Sequence, residues 1–296
     1  MKRLMSNLAF VGLIVLLVDL CSGMVAADDL LALKNCNLVE TSWSDGDSFL
    51  VQDDKGNQYT IRLYGVDCLE YHVHDTTDAR RLRAQRRYFG ISKFGGTAES
   101  SITAAKKLGK QAALAVKQEL KKPFTVHTAF ADARGDGKYK RYYAFITTGN
   151  GDDLGERLVR AGLARAYGVY RKTPNGRSRE EYREWLKDIE LQSAKRGVGI
   201  WAATDWNALP VERRKDREEN AELELATKGR PLDTNYKINI NTAPRDELMR
   251  LPGIGEVLAN RIIEQRPYKS IESITQVEGL GVKTLQVIRP NLKLSD

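Results

Sequence analysis

The sequence predicts an α+β fold, in which a small antiparallel β-barrel carries interleaved and appended helices and is followed by a small all-α unit. Three observations predict it. Short apolar and β-branched runs indicate strands between Cys36 and Asp67, apolar residues recur at helical spacing over residues 102–116, and a Gly-x-Gly segment occurs twice near the C-terminus. Short strands separated by turn signals, with helices interleaved and appended, indicate an α+β arrangement around a small barrel.

A hairpin is the clearest local signal. Residues 48–51 and 59–64 are rich in strand-forming side chains, and they flank the polar turn DKGN at residues 54–57. A glycine in a short polar turn between two such runs is typical of a β-hairpin.

Further elements follow along the chain. Residues 124–130 alternate as a strand, and RYYAFI at residues 141–146 predicts another. Helices are predicted over residues 154–165 and in a segment that ends near Gly197. Residues 71–96 are polar, basic and contain glycines, so they predict a long loop whose arginines either face solvent or follow a phosphate backbone.

These elements divide the chain into two folded units. The first spans residues 34–201, and the second spans residues 236–296. Residues 206–235 are charge-rich and punctuated by prolines, so we interpret them as a charged linker with some helical content.

The N-terminus has the layout of a secretory signal peptide. Lys2 and Arg3 precede an apolar run at residues 8–18, and small residues lead up to Ala27. We therefore expect residues 1–27 to be a signal peptide and the protein to be secreted or periplasmic. The run is shorter than the ~20 residues that span a bilayer, so no stable membrane span is expected after cleavage. An uncleaved anchor is the alternative.

The net charge and the cysteines leave several functions open. The formal net charge is +8, which suits a polyanion such as nucleic acid but equally suits solubility alone. Cys36 and Cys68 would remain after cleavage. In an exported protein such a pair either forms a disulfide or stays free, and the sequence leaves both options open.

Four residues of the first unit suit phosphodiester hydrolysis. That reaction requires a partner for the anionic phosphate, an activated water and stabilisation of the transition-state charge. Asp47 and Asp67 offer hard oxygen ligands suited to Ca²⁺. Glu70 could orient or deprotonate water, and Arg62 offers a planar fork that can grip two phosphate oxygens. Each residue alone is weak evidence, because Asp-Gly-Asp is usually a plain turn and a strand arginine usually faces solvent.

The combination is more specific than its parts. DGDSFLV at residues 45–51 and IRLYGVDCLE at residues 61–70 resemble the motifs DGDT and RLxGIDxPE of the staphylococcal nuclease (thermonuclease) family. Further segments follow in the family's order: KYKRYYAFI at residues 138–146, LGERLVRAGLARAY at residues 154–167 and GVGIW at residues 197–201. The resemblance covers roughly residues 34–201 and implies an OB-like barrel with a nuclease active site.

The resemblance also implies a metal and catalytic groups. Ca²⁺ would be bound by the carboxylates of Asp47 and Asp67 and by the backbone carbonyl of Cys68. Glu70 would act on the attacking water.

The remaining implied roles concern the phosphate and the nucleotide. Arg62 and Arg141 would bind and polarise the phosphate, and Tyr139 and Tyr170 would lie beside the nucleotide, where aromatic rings can stack on a base. One departure from the family pattern is Leu69, which replaces a proline and would loosen the turn that aims Glu70.

The second unit contains an internal repeat. LPGIGEVLANRI at residues 251–262 aligns with VEGLGVKTLQVI at residues 277–288. Glycines in such a turn permit a positive φ, and the helix that follows presents N–H groups to an anion. With NINTA at residues 239–243, the repeat resembles the helix-hairpin-helix pair of competence-type DNA receptors over about residues 236–294.

This second resemblance implies a sequence-independent grip on DNA phosphates. The residues expected to contact phosphate are Gly253, Gly255, Gly279, Gly281, Arg261 and Lys283. A unit that binds protein instead is the alternative.

Two functions follow from the sequence. The first is an exported, Ca²⁺-dependent nuclease that cleaves DNA, with RNA as a further candidate substrate, and that tethers DNA through its C-terminal unit. The second is a non-catalytic extracytoplasmic DNA-binding or uptake receptor that uses the nuclease fold as a scaffold. Glu70 favours the first, because a binding scaffold has no need of that carboxylate, whereas Leu69 favours the second.

Overall fold

The computed structural model of the chain describes residues 30–133, 140–227 and 236–294. The predicted signal peptide at residues 1–27 and the predicted nucleotide-binding residue Tyr139 lie outside the described residues. Within these described ranges, the first unit contains seven strands: β1 (Leu31–Val39), β2 (Ser48–Gln52), β3 (Gln58–Leu63), β4 (Val66–Cys68), β5 (Phe124–Asp132), β6 (Tyr142–Thr147) and β7 (Ala164–Ala166).

Five of these strands form a barrel in the order β1–β2–β3–β6–β5, and β5 pairs back onto β1. The predicted α+β fold with an OB-like barrel is confirmed. Four of the five strand pairs are antiparallel as predicted, and one pair departs from that arrangement, since β3 and β6 run parallel. Parallel neighbours require a long crossover, and here the chain between them includes two helices and β5.

The predicted hairpin is formed by β2 and β3, with Gly56 at φ 85° in its turn. Its register pairs Ser48 with Arg62. The hairpin therefore brings the segment around Asp47 next to the segment around Arg62, which lie about fifteen residues apart in sequence.

The small sheet formed by β4 and β7 corrects another prediction. A helix was expected over residues 154–165, but the helix ends at Arg160 and Ala164–Ala166 pairs as a strand with Val66–Cys68. Gly162 makes the turn at φ 67°, and a Cβ there would lie 2.2 Å from the Val198 carbonyl oxygen. The strand pairs Asp67 with Arg165.

The α-helices that accompany the barrel are α1 (Thr76–Tyr88), α2 (Ala98–Glu119), α3 (Leu154–Arg160), α4 (Arg179–Arg196) and α5 (Leu209–Thr227). The predicted helices over residues 102–116 and before Gly197 are confirmed as parts of α2 and α4. Gly197 ends α4 in the left-handed conformation.

Helix α1 replaces much of the long loop predicted for residues 71–96. Asp75 caps it by accepting hydrogen bonds from the N–H groups of Thr77 and Asp78. Its buried side chains are those of Leu82, Gln85 and Arg86. Because two of these three are polar, the apolar spacing that indicates a helix is missing from the sequence.

The segment predicted as a linker contains α5, which packs against α1. Arg87 of α1 forms a bidentate ion pair with Glu219 of α5, with contacts of 2.6 and 3.0 Å. Much of this segment is therefore docked on the first unit as well as connecting it to the second.

The second unit shows the predicted repeat in its backbone geometry. Gly253 and Gly279 have φ values of 79° and 89°, and Gly255 and Gly281 are the extended N-caps of the helices that follow. Its helices are α6 (Arg245–Leu248), α7 (Glu256–Glu264) and α8 (Val282–Ile288), with short 3₁₀ turns at Glu272–Gln276 and Arg289–Asn291. Two short parallel strands, β8 (Ile238–Asn239) and β9 (Leu292–Lys293), join its ends, so the unit is not purely helical.

The two units are docked through Glu264 at the end of α7. Its carboxylate accepts hydrogen bonds from the Tyr170 N–H at 3.0 Å and from Arg179 at 2.7 Å. Its carbonyl oxygen accepts a further hydrogen bond from Arg171 at 3.2 Å. The predicted phosphate-gripping unit is thus held against the first unit by charged hydrogen bonds.

Two sequence questions are answered in the part of the chain that the structure describes. Cys36 and Cys68 are both free and buried. None of the described helices combines the length and the apolar character needed to cross a membrane.

Candidate active site

Arg62 lies at the centre of the predicted site, between two aspartates. Its guanidinium is 3.1 Å from Asp67 Oδ1 and 3.4 Å from Asp47 Oδ1. Asp47 also accepts a hydrogen bond from the Cys68 N–H at 2.9 Å. Burial alone would lower the pKa of Arg62, but the two aspartates outweigh it and raise that pKa. The structure therefore brings together three of the residues that the motifs singled out.

Gln85 of α1 bridges this cluster. Its side-chain nitrogen donates to Asp67 Oδ2 at 2.9 Å and to the Cys68 carbonyl oxygen at 2.7 Å. Its side-chain oxygen accepts from the Glu70 N–H at 2.8 Å. Gln85 is fully buried, and its three neighbours fix which end of the amide is oxygen and which is nitrogen.

Arg165 on β7 is a second cation on Asp67. Its Nε donates to Asp67 Oδ2 at 2.8 Å. Its guanidinium lies 4.0 Å from the ring centre of Tyr167 and 4.9 Å from that of Tyr88, so two aromatic rings hold it in place. Burial by itself would raise the pKa of Asp67, but Arg165 and Arg62 outweigh it and hold that pKa below its ordinary value.

Glu70, the candidate acid–base group, faces Arg81 of α1. Arg81 donates to its carboxylate at 2.6 Å. Burial raises the pKa of Glu70, Arg81 opposes this rise, and the negative charge of Asp47 adds to it, so the net pKa lies above its ordinary value. A raised carboxyl pKa brings Glu70 closer to the range in which a general base works best near neutral pH.

The turn before Glu70 is tightly packed even though Leu69 stands where the family has proline. Leu69 is buried, and Gly109 of α2 passes so close that a Cβ there would lie 2.3 Å from the Leu69 carbonyl oxygen. Together with the hydrogen bond from Glu70 to Gln85, this packing holds the turn. The loosening expected from Leu69 is therefore not seen.

The implied calcium ligands do not fit a calcium ion in this arrangement. Asp67 Oδ2 and the Cys68 carbonyl oxygen share one donor, Gln85, and the other oxygen of Asp67 is bound by Arg62. Among the described residues, no cluster of three or more His, Cys, Asp or Glu side chains could hold a metal ion. The predicted donor atoms are present, but protein N–H groups already bind them.

Arg141 and Tyr170 are two further residues of the first unit that the sequence predicts for the site. Arg141 immediately precedes β6, where it acts electrostatically on Tyr143, the strand partner of Arg62. Tyr170 is 8% exposed and its ring lies edge-on to Tyr182. In this conformation Tyr170 is a core residue whose ring cannot stack on a base.

The predicted phosphate contacts of the second unit divide into two groups. Gly253, Gly279, Gly281 and Lys283 are exposed, and Gly255 is half-buried. Arg261 is half-buried and donates to the Glu278 carbonyl oxygen at 2.7 Å, so it supports the second glycine turn.

Sequence reasoning missed three contributors to the site. Gln85 and Arg81 are one helical turn apart on α1, and recognising Asp75 as a helix cap would have placed them on one face. Arg165 alternates with alanines in Ala164–Ala166, which is a short strand pattern hidden behind an apparent helix.

Comparisons with known proteins agree with this architecture. A family model described as staphylococcal nuclease homologue matches residues 60–203, and one described as helix-hairpin-helix motif matches residues 233–293. The chain therefore contains a staphylococcal nuclease domain followed by a helix-hairpin-helix motif. The nuclease match begins after Asp47, so that aspartate is placed by the structure and not by the family model.

Individual relatives are distant. An uncharacterised protein of Methanocaldococcus jannaschii is 28% identical over 160 residues, which are 53% of this chain and 67% of the relative. The protein called endonuclease/exonuclease/phosphatase family domain-containing protein 1 is 39% identical in Homo sapiens over 57 residues and 36% identical in Danio rerio over 63 residues. These segments are 18% and 20% of this chain, and the chain spans only 10% and 12% of those two relatives.

Proposed function

We propose that this protein is an exported nuclease that hydrolyses phosphodiester bonds of DNA, and that its helix-hairpin-helix unit holds the DNA beside the active site. The proposal depends mainly on one observation, which is that Arg62, Glu70 and Arg81 cluster inside a staphylococcal nuclease domain. Export is proposed from the pattern of residues 1–27 alone.

The cluster supplies the groups that the reaction needs. Arg62 keeps 16% of its side chain exposed and can exchange its long contact with Asp47 for a phosphate oxygen. Glu70, with its raised pKa, would take a proton from the attacking water as the oxygen of that water bonds to phosphorus and the P–O bond to the leaving oxygen breaks. The leaving oxygen would take a proton from solvent. Arg81 holds the carboxylate in one orientation.

The two family matches support a nucleic-acid substrate, because one is to staphylococcal nuclease and the other is to a helix-hairpin-helix motif. Lys283 of the second unit is exposed, and a positive charge at that position suits a polyanion.

Calcium dependence is left out of this proposal, because protein donors bind the oxygens that would ligate the ion. The substrate range is likewise left to experiment, since the phosphate contacts proposed for the glycine turns do not distinguish DNA sequences.

The test is cleavage by the purified mature chain of plasmid, linear duplex, single-stranded DNA and RNA, each with Ca²⁺, Mg²⁺ or EGTA. We expect Glu70→Gln to lower the cleavage rate by about 10²–10⁴-fold, the usual contribution of acid–base catalysis. Glu99→Gln, at an exposed position on α2, is the matched control.

Equal, very slow degradation by wild type and Glu70→Gln would reject the nuclease proposal. If DNA binding were retained in that case, the receptor function would be the better description.

A further inference from the structure

We propose that Gln85 and Arg165 take the place of a metal ion at Asp67 and the Cys68 carbonyl, so that the active site works with a built-in cation and without calcium. The part of this inference that concerns cleavage rests on the proposed nuclease function. The part that concerns calcium binding can be tested independently of that function. It concerns a departure of this chain from the ligand set that its family resemblance implies.

The geometry of Gln85 carries the first step. Calcium lies about 2.3–2.6 Å from its oxygen ligands. The Gln85 nitrogen lies 2.9 Å from Asp67 Oδ2 and 2.7 Å from the Cys68 carbonyl oxygen, the same two atoms that the ion would join. An ion that bound both oxygens would therefore collide with the amide nitrogen.

Displacing Gln85 would be costly. The side chain is fully buried, and its oxygen also accepts the Glu70 N–H. Moving it would break three hydrogen bonds and leave buried polar groups without partners, each at a cost of about 1–3 kcal/mol. Helix α1 is in turn held by Arg86, which donates to Ser101 of α2, and by the pair of Arg87 with Glu219.

Arg165 supplies the charge that an amide lacks. It binds Asp67 Oδ2 at 2.8 Å and is clamped between Tyr88 and Tyr167. The Arg165 guanidinium thereby places a positive charge directly on the Asp67 carboxylate. Its rigid position means that little reorganisation is needed when charge develops nearby.

Guanidinium groups already pair with the carboxylates of the cluster. Asp47, Asp67 and Glu70 contact Arg62, Arg165 and Arg81, and Asp45 is a further carboxyl group that interacts with Asp47, Glu70 and Arg62. An added Ca²⁺ would bring two more positive charges next to Arg62 and Arg165. Repulsion from these two guanidinium groups would therefore oppose calcium binding.

The binding arm of the test is calorimetric titration of Ca²⁺ into the mature chain, combined with Tm measured with and without Ca²⁺. We expect wild type to show no saturable site tighter than about 1 mM, the weak end of protein calcium sites, and no Tm shift. Gln85→Glu would replace the bridging amide with a carboxylate, and we expect it to bind Ca²⁺ and to gain Tm when Ca²⁺ is added. Gln192→Glu, at an exposed position on α4, is the matched control for the charge change.

The activity arm compares the rate of DNA cleavage in EGTA with the rate in Ca²⁺. We expect the two rates to agree within about twofold, a difference well below 1.4 kcal/mol, because the proposed site needs no bound ion. A single saturable Ca²⁺ site in wild type that is lost in Asp67→Asn would overturn the inference. So would cleavage that EGTA abolishes and Ca²⁺ restores. Absence of cleavage under every condition would reject the proposed nuclease function, while the wild-type titration would still decide the inference, even if Gln85→Glu failed to fold.

Discussion

Arg81 donates a hydrogen bond of 2.6 Å to Glu70, so the candidate acid–base group is held by a residue from helix α1. Removing this cation should raise the pKa of Glu70 further, because Arg81 is the main group that opposes the effect of burial on that pKa. We predict that Arg81→Met shifts the acidic limb of the kcat/KM profile to higher pH. Cleavage rates measured across the pH range check this shift.

The neighbouring Arg80→Met is the control, since Arg80 is exposed on the same helix. An acidic limb that stays at the same pH in Arg81→Met would show that Glu70 is not the group that titrates in the rate.

Gly109→Ala should be destabilising, although alanine usually favours a helix interior over glycine. The new Cβ would lie 2.3 Å from the Leu69 carbonyl oxygen, and that backbone cannot move without moving Glu70. We expect a loss of about 1–3 kcal/mol in the free energy of unfolding, as for other overpacked sites, together with slower cleavage. Urea unfolding and rate measurements test both effects.

Lys110→Ala, at an exposed position of the same helix, should leave both quantities nearly unchanged. A Gly109→Ala variant as stable and active as wild type would contradict the close contact between α2 and the turn.

Asp153 should make stability depend on pH. It caps α3 by accepting the Glu156 N–H, and burial raises its pKa to about 7. Because this pKa is raised in the folded state, its stabilising contribution is complete at low pH and is lost as pH rises to about 7. Asparagine caps a helix as well as aspartate but carries no charge.

We therefore predict that Asp153→Asn becomes more stable than wild type as pH rises from 4 to 7, with the difference levelling off on the order of 2–4 kcal/mol. Urea unfolding at several pH values measures it. Asp205→Asn is the control, because Asp205 is an exposed residue that accepts N–H groups at the start of α5. A stability difference independent of pH would count against the raised pKa.

Lys283 and Arg261 should respond differently to replacement. Lys283 is exposed, and we predict that Lys283→Ala weakens DNA binding and lowers the slope of log K against log salt by about 0.9. Arg261 holds the Glu278 carbonyl oxygen, so Arg261→Ala should reduce the stability of the second glycine turn. Fluorescence anisotropy at several salt concentrations, with unfolding measured in parallel, separates the two effects.

Lys187→Ala on α4 is the control for loss of an exposed charge. An unchanged salt slope in Lys283→Ala would remove Lys283 from the proposed phosphate contacts.

Sequence patterns predicted the barrel hairpin and the motif residues because these features are local. Strand alternation and a glycine turn define β2 and β3, and their pairing brings Ser48 to Arg62. The repeat in the second unit was also predictable from the sequence, because the positive φ at Gly253 and Gly279 favours glycine at both positions.

The rest of the site depends on buried polar contacts, which leave no apolar pattern. Gln85 and Arg86 occupy the inner face of α1, so that helix was interpreted as a loop. Arg165 follows a helix so closely that its strand was merged with it, and its contact with Asp67 spans 98 residues. The parallel pairing of β3 and β6 likewise depends on the global path of the chain.

The docking of the second unit through Glu264 has a consequence for where the protein would cut. If the glycine turns bind the DNA backbone while Glu264 stays bound to Arg179, the scissile bond lies at a constant distance from the bound phosphates. Fragments from a duplex with one blocked end should then have a narrow length distribution. Glu264→Ala removes the carboxylate contacts with Tyr170 and Arg179 and should broaden this distribution by loosening the docking of the two units. Equally narrow fragments from that variant would show that the spacing is set elsewhere.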